Sequence, residues 1–108
     1  MADDGFKDYL LDQLDGLEGV SARSMFGGHG IYLCDEFFGI VFQGRLYFRT
    51  DETTRAAYTE QGSGPFQPNA RQRLKNYYEV PADVIEDRDL LMEWAREAVA
   101  SRATAGRR

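Results

Sequence analysis

The stretch from Met25 to Thr50 constrains the fold of this chain more than any other part of it. Its runs of apolar and aromatic residues are separated by short breaks of glycine and polar residues. Such runs, with turn-forming residues between them, are typical of antiparallel strands joined by hairpins. We therefore predict a short extended run over residues 22–26, strands over 31–34, 37–43 and 45–50, and tight turns at 35–36 and 43–44.

The predicted strands also indicate which side chains share a face of the sheet. Successive residues of a strand point to opposite faces, so residues 37–50 predict one covered face and one partly solvated face. The first is expected to carry Phe38, Ile40, Phe42, Leu46 and Phe48, and the second Phe37, Val41, Tyr47 and Arg49.

Helical periodicity flanks this meander on both sides. Apolar residues recur at helical spacing over residues 4–18 and again from about 88 to 102. Asp51 is a favourable N-cap for a further helix over 52–61. A loop over 62–65, a strand over 72–80 and a short helix over 82–86 complete the prediction. This order predicts a two-layer α+β fold, with helices on one face of a mostly antiparallel sheet and an edge strand available for pairing.

Length and composition indicate one globular domain. The 108 residues are expected to form a core over about 5–102 and a frayed tail over 103–108. The acidic N-terminus, MADDGFKDYL, is unlike a signal peptide, and no apolar run is long enough to span a membrane. A single cysteine excludes an intramolecular disulfide. We therefore expect a cytoplasmic protein.

His29 and Cys34 are the residues most suited to chemistry, because each is the only one of its type. They are five positions apart and are expected to point to opposite faces of an extended run. One histidine and one cysteine cannot complete a closed zinc site. The carboxylates lie in helix flanks and turns, where solvated acids are common. The sequence therefore predicts no catalytic residue, no metal site and no cofactor.

The glycine-rich run GGHG at 27–30 is similar to a phosphate-binding loop in composition alone. Phosphate loops lead into a helix N-terminus, usually with Lys and Ser or Thr following. Here the glycines lead into the apolar run Ile31–Leu33, so we interpret them as a bend or bulge between strands. A small-ligand-binding domain or an enzyme centred on this turn is an alternative.

A basic and aromatic segment near residue 75 is the best candidate for nucleic-acid contact. Cations can contact phosphates and tyrosines can stack on bases. The alternative is an exposed edge strand whose cations oppose aggregation, and the net charge of −5 favours that interpretation. The candidate contacts are Arg71, Arg73, Lys75, Tyr77 and Tyr78.

Four motifs together resemble the TfoX/Sxy N-terminal domain family. They are RSMFGGHGIYL at 23–33, RLYFRTDETTRAAYTEQGSGPF at 45–66, YYEVP at 77–81 and LLMEWAREAV at 90–99. The resemblance spans about residues 5–102, and the chain is expected to be a stand-alone N-terminal domain. It implies the two-layer α+β fold of type III secretion chaperones. Full-length members resemble competence regulators that act with the cyclic-AMP receptor protein and carry a second, C-terminal helical domain.

The resemblance implies no catalytic residues, and His29 stands where many relatives have an aromatic residue. Together these observations predict a non-enzymatic protein-interaction module, with a role as a transcriptional co-regulator. We expect it to capture a protein partner, or a second copy of itself, through the sheet edge and the glycine-aromatic segment. The candidate interaction residues are Met25, Phe26, Gly27, Gly28, His29 and Tyr32.

Overall fold

A computed structural model describes residues 2–25, 27–69 and 72–105, and their side chains within 5–25, 27–67 and 76–101. The helices are α1 (Ala2–Gln13), α2 (Glu52–Glu60), α3 (Ala82–Glu86) and α4 (Arg88–Ala105), and the strands are β1 (Val20–Met25), β2 (Gly28–Leu33), β3 (Glu36–Phe42), β4 (Arg45–Arg49), β5 (Pro65–Asn69) and β6 (Gln72–Glu79). The strands form one sheet of six in the order β1-β2-β3-β4-β6-β5, with every pairing antiparallel. The predicted α+β class is confirmed.

The helices pack on one face of this sheet. Each helix contributes buried residues or close neighbours to a single core, including Leu10 of α1, Tyr58 of α2, Val84 of α3 and Leu91 of α4. The strands, and Val80 directly after β6, contribute their own buried side chains to the same core, which are Ile31, Phe38, Val41, Leu46, Phe48 and Val80. The opposite face of the sheet, which carries no helix among the described residues, is called the open face below.

Two hairpin turns set the register of the central strands. Gln43 and Gly44 have φ angles of 53° and 75°, as the turn between β3 and β4 requires. The turn between β2 and β3 falls at Cys34 and Asp35 instead of the predicted residues 35–36, and Cys34 has a φ of 58°. The prediction was wrong by one residue, because Glu36 pairs with Leu33 and so belongs to β3.

A β-bulge in β3 corrects the predicted faces of the sheet. Ile31 pairs with Gly39, but the next residue, Tyr32, pairs with Phe37, so Phe38 is the extra residue. The bulge reverses the alternation on either side of it. Phe38 and Val41 therefore both face the helices, whereas Phe37, Ile40, Phe42 and Tyr47 share the open face.

The structure contains a strand, β5, that begins at the last residue of the loop predicted over 62–65 and continues over residues to which the sequence assigned no element. Two prolines in its five residues, Pro65 and Pro68, weaken the strand pattern, and proline within a sheet is confined to edges and bulges. β5 is indeed the sheet edge, and it pairs with β6. The alternative interpretation of residues 71–78 as an edge strand was therefore wrong, because β6 lies between β4 and β5.

The terminal helices differ from their predicted bounds. α1 ends at Gln13, and Leu14 and Leu17 follow it in tight turns while remaining buried in the core. α4 extends beyond Arg102 to Ala105, and residues 106–108 of the predicted tail lie outside the described residues.

Candidate functional site

The open face carries a second apolar cluster that belongs to the strands alone. Within it Ile40, Tyr47 and Phe66 are buried, and three aromatic residues pack around them half-buried. The open-face cluster consists of Phe37, Ile40, Phe42, Tyr47, Phe66 and Tyr77. A face of a sheet that is fully solvated normally carries polar side chains, so this composition singles the open face out.

Phe66 closes one side of this cluster. Its ring lies 4.7 Å from that of Tyr47 and meets the ring of Phe42 edge-on at 5.4 Å. Phe42 stands on β3 and Phe66 on β5, which are separated in the sheet by β4 and β6. The sheet therefore curls so that its β5 edge bends over the open face.

On the other side of the open face, three side chains converge over Gly30. A Cβ atom on Gly30 would lie 2.8 Å from Met25 Sδ, 3.0 Å from Phe37 Cε1 and 3.1 Å from Tyr32 Cε1. Glycine leaves the space that these side chains fill, and all three of them are half-buried. We call Met25, Gly30, Tyr32 and Phe37 the Gly30 patch.

The Gly30 patch continues into the open-face cluster through a row of rings. The rings of Tyr32 and Phe37 are 5.2 Å apart, and those of Phe37 and Tyr77 are 5.5 Å apart. Arg23 lies over Tyr32, with its Cζ 4.5 Å from the ring centroid, and also pairs with Asp35 at 3.2 Å. The patch thus has an apolar and aromatic centre and an exposed charged rim.

Two tyrosine hydroxyls of the open-face cluster stay protonated because they are buried. Burial is the main cause that raises the pKa of Tyr77, while the nearby Arg49 guanidinium acts in the opposite direction. Burial likewise raises the pKa of Tyr47, and the Glu79 carboxylate adds to that effect. Both phenols therefore stay protonated throughout the physiological range.

The structure brings part of the predicted interaction segment together. Met25 and Tyr32 both belong to the Gly30 patch, and Gly28 lies beside it, where a Cβ atom would collide with the carbonyl oxygen of Val41. Gly27 makes the turn between β1 and β2 with a φ of 84°. Phe26 lies outside the described residues.

His29 does not belong to this surface. It pairs with Val41 on β3, whose side chain is buried on the helix side, and with Ser24 on β1. Cys34 is exposed in the turn beyond the other end of β2. They are five positions apart, which corresponds to about 16 Å along an extended strand, so they form no nucleophile and base pair.

The predicted nucleic-acid contacts are divided between the two faces. Tyr77 belongs to the open-face cluster, whereas Tyr78 packs in the core with its ring 6.2 Å from that of Tyr58. Arg73 and Lys75 lie on β6, but their side chains are outside the described set, as is all of Arg71. The two tyrosines therefore cannot stack on bases from the same side of the strand.

A shallow cleft of about 330 Å³ lies away from the glycine turn, between α1, α3 and the start of β4. Its lining combines apolar side chains with the ion pair of Arg45 and Glu79, at 3.2 Å, and with Glu86. The cleft was not predictable from the sequence, because its lining comes from three separated segments, 6–9, 44–46 and 79–86. Phe37 and Phe66 were not among the predicted site residues. For Phe37 the available signal was an aromatic residue on the face predicted to be partly solvated, and for Phe66 there was none, because no strand was predicted at that position.

Among the residues that the structure describes, no group of three or more His, Cys, Asp or Glu side chains is placed to hold a metal ion. No helix within those residues is long and apolar enough to cross a membrane. A family model described as the TfoX N-terminal domain matches residues 12–102. No curated protein matches the chain.

Proposed function

Because the chain belongs to the TfoX N-terminal domain family, we propose that it is a non-enzymatic protein-interaction module that acts as a transcriptional co-regulator. The regulatory part of the proposal is supported by the full-length members of the family, which resemble regulators of competence. The single cysteine supports a cytoplasmic location as part of the same proposal.

The observation that carries the proposal is the Gly30 patch. Tyrosine, methionine and arginine are enriched at protein interfaces, which combine an apolar centre with a polar rim. Met25, Tyr32 and Phe37 supply such a centre, and the exposed ion pair of Arg23 with Asp35 supplies the rim. These side chains stand on paired strands and pack against one another, which already restricts their conformations. Little conformational entropy is therefore lost when a partner covers them.

The non-enzymatic role is supported by the separation of His29 and Cys34. A thiol and an imidazole at opposite ends of β2 cannot exchange a proton directly. Protein capture requires only the surface that the open face presents.

Site-specific photo-crosslinking tests the proposal. A photoreactive amino acid replaces Tyr32 in the Gly30 patch, and a matched variant carries it at Tyr9 of α1, which is 42% exposed. We expect protein adducts in cells from position 32 that are absent from position 9. Equal adducts at both positions, or none at position 32, would contradict the proposal. Adducts at position 32 that nuclease removes would favour direct nucleic-acid binding instead.

A further inference from the structure

The two edges of the sheet differ in their capacity to accept another strand. β5 carries Pro65 and Pro68, which lack the N–H group that pairing needs. β1, with the sequence VSARSM, contains neither proline nor lysine. Proteins commonly protect sheet edges with proline and with charged side chains, so β5 is protected. The single cation of β1, Arg23, pairs with Asp35 of its own chain, so the β1 edge is available for pairing.

The pairing of β1 with β2 determines which backbone groups point outward. The Cys34 amide donates to the Gly19 carbonyl at 2.8 Å, so Gly19 and every second residue after it bond toward β2. Ala22 and Ser24 lie between these positions and direct both N–H and C=O away from β2. Val20 is oriented in the same way, but its N–H already donates to the Leu17 carbonyl at 3.2 Å.

We propose that β1 pairs antiparallel with β1 of a second copy of the chain, about a two-fold axis at Ala22. The two Ala22 residues then exchange reciprocal backbone bonds, and the Ser24 amide of each copy donates to the Val20 carbonyl of the other. An isologous contact of this kind closes on itself and continues the sheet across the dimer. The inference does not depend on the proposed function, because it uses the strand edge and not the Gly30 patch.

Side chains distinguish this register from its neighbours. With the axis at Ala22, Arg23 faces Ser21 of the other copy, and Val20 faces Ser24. An axis at Arg23 would place two guanidinium groups directly opposite each other, which is destabilising. An axis at Ser21 would bring Glu18 of the turn before β1 opposite Ser24 and shorten the paired segment. In this dimer the two Ala22 residues lie directly opposite each other, which requires a small side chain at that position. A strand from a different protein would not impose this requirement.

Sedimentation velocity over a concentration series tests the dimer in the whole 108-residue chain. We expect a reversible monomer–dimer equilibrium, since a single strand pair gives a small interface. Ser24→Pro removes the outward N–H group and leaves the bonds to β2 intact, so it should weaken association about tenfold or more. Ser24→Thr keeps the amide and should dimerise like the wild type. A wild type that is monomeric at every concentration, or a Ser24→Pro dimer of unchanged affinity, would overturn the inference.

Thiol crosslinking tests the register and covers the case in which Ser24→Pro fails to fold. In a Cys34→Ser background, Ala22→Cys should form an oxidised dimer faster than Gln43→Cys, whose thiol lies in the exposed turn between β3 and β4. Because the side chain at position 22 is partly buried, random collision would give the opposite order. Crosslinking that is faster at position 43 would exclude the axis at Ala22.

Discussion

Arg49 Nη1 donates to the carbonyl oxygen of Phe37 at 2.8 Å, beside the bulge in β3. The same guanidinium pairs with the Glu36 carboxylate at 2.9 Å. It also donates to two carbonyls of α4, those of Val99 at 3.0 Å and Ala98 at 3.2 Å. One side chain therefore bonds a carbonyl of the residue next to the bulge and ties this part of β3 to α4.

Replacing Arg49 should therefore destabilise the fold strongly. Arg49→Met keeps the apolar stem but leaves the Glu36 carboxylate and three carbonyls without this donor, so we expect a loss of about 3 kcal/mol. Arg45→Met is the matched control, because its ion pair with Glu79 is exposed and should contribute less than about 1 kcal/mol. Urea unfolding monitored by circular dichroism measures both. An Arg49→Met variant no less stable than Arg45→Met would contradict the assignment.

Gly28 and Gly5 should respond to alanine with opposite signs. A Cβ atom at Gly28 would collide with the Val41 carbonyl oxygen, so Gly28→Ala must separate β2 from β3 and should cost more than about 2 kcal/mol. Gly5 lies in α1 with nothing within 4 Å of an added Cβ, so Gly5→Ala should stabilise by up to about 1 kcal/mol. Thermal unfolding of the two variants measures both signs. Equal shifts in one direction would show that close approach is not what requires glycine at position 28.

The elements of the fold were predictable from the sequence because they depend on local patterns. Periodicity placed α4, and the pair Gln43-Gly44 placed the turn that the structure confirms. The bulge at Phe38 was not predictable, because large apolar residues stand on both sides of it. With or without the bulge, both faces of the strand carry apolar side chains, so the pattern does not distinguish the two registers. β5 was missed for a related reason: its prolines are acceptable only at a sheet edge, and edge position is a property of the whole topology.

The candidate site was predictable only in part. Met25 and Tyr32 were recognised because they lie within one glycine-rich segment. The bulge places Phe37 beside Met25 and Tyr32, and the pairing of β4 with β6 places Tyr77 beside Phe37. Neither residue could therefore be assigned to the site from sequence spacing. His29 was included because it lies in the same glycine-rich segment, whereas strand parity places it on the helix side.

The N-cap of α2 should make stability depend on acid pH. The Asp51 carboxylate accepts from the Thr53 hydroxyl at 2.7 Å and from the Thr54 amide at 2.9 Å. These hydrogen bonds, with that of Thr53 the largest cause, lower the pKa of Asp51 below its usual value. A lowered pKa means that the stabilisation is present above the unfolded-state pKa and is lost as the pH falls through the folded-state pKa.

Asp51→Ala should therefore cost about 1 kcal/mol at neutral pH, and Asp51→Asn much less, because asparagine is also a good N-cap. The advantage of the wild type over Asp51→Ala should shrink as the pH falls below about 4, whereas that of Asp51→Asn over Asp51→Ala should persist. Urea unfolding of the three proteins at neutral and acid pH gives these differences. A wild-type advantage over Asp51→Ala that does not change with pH would show that the carboxylate does not cap α2 in its ionised form.

Phe66 should stabilise the protein as a core residue would, although it stands on an edge strand. Its side chain is 1% exposed and packs against Tyr47 and Phe42. Truncation would remove that packing and leave a cavity on the open face, so Phe66→Ala should cost about 3 kcal/mol and Phe66→Leu about 1 kcal/mol. The exposed neighbour Gln67 provides the control, since Gln67→Ala should change stability by less than about 0.5 kcal/mol. Denaturant unfolding separates these values. If Phe66→Ala were as stable as Gln67→Ala, the packing of the Phe66 ring would not be what keeps β5 over the open face. The curl of the sheet would then need another cause.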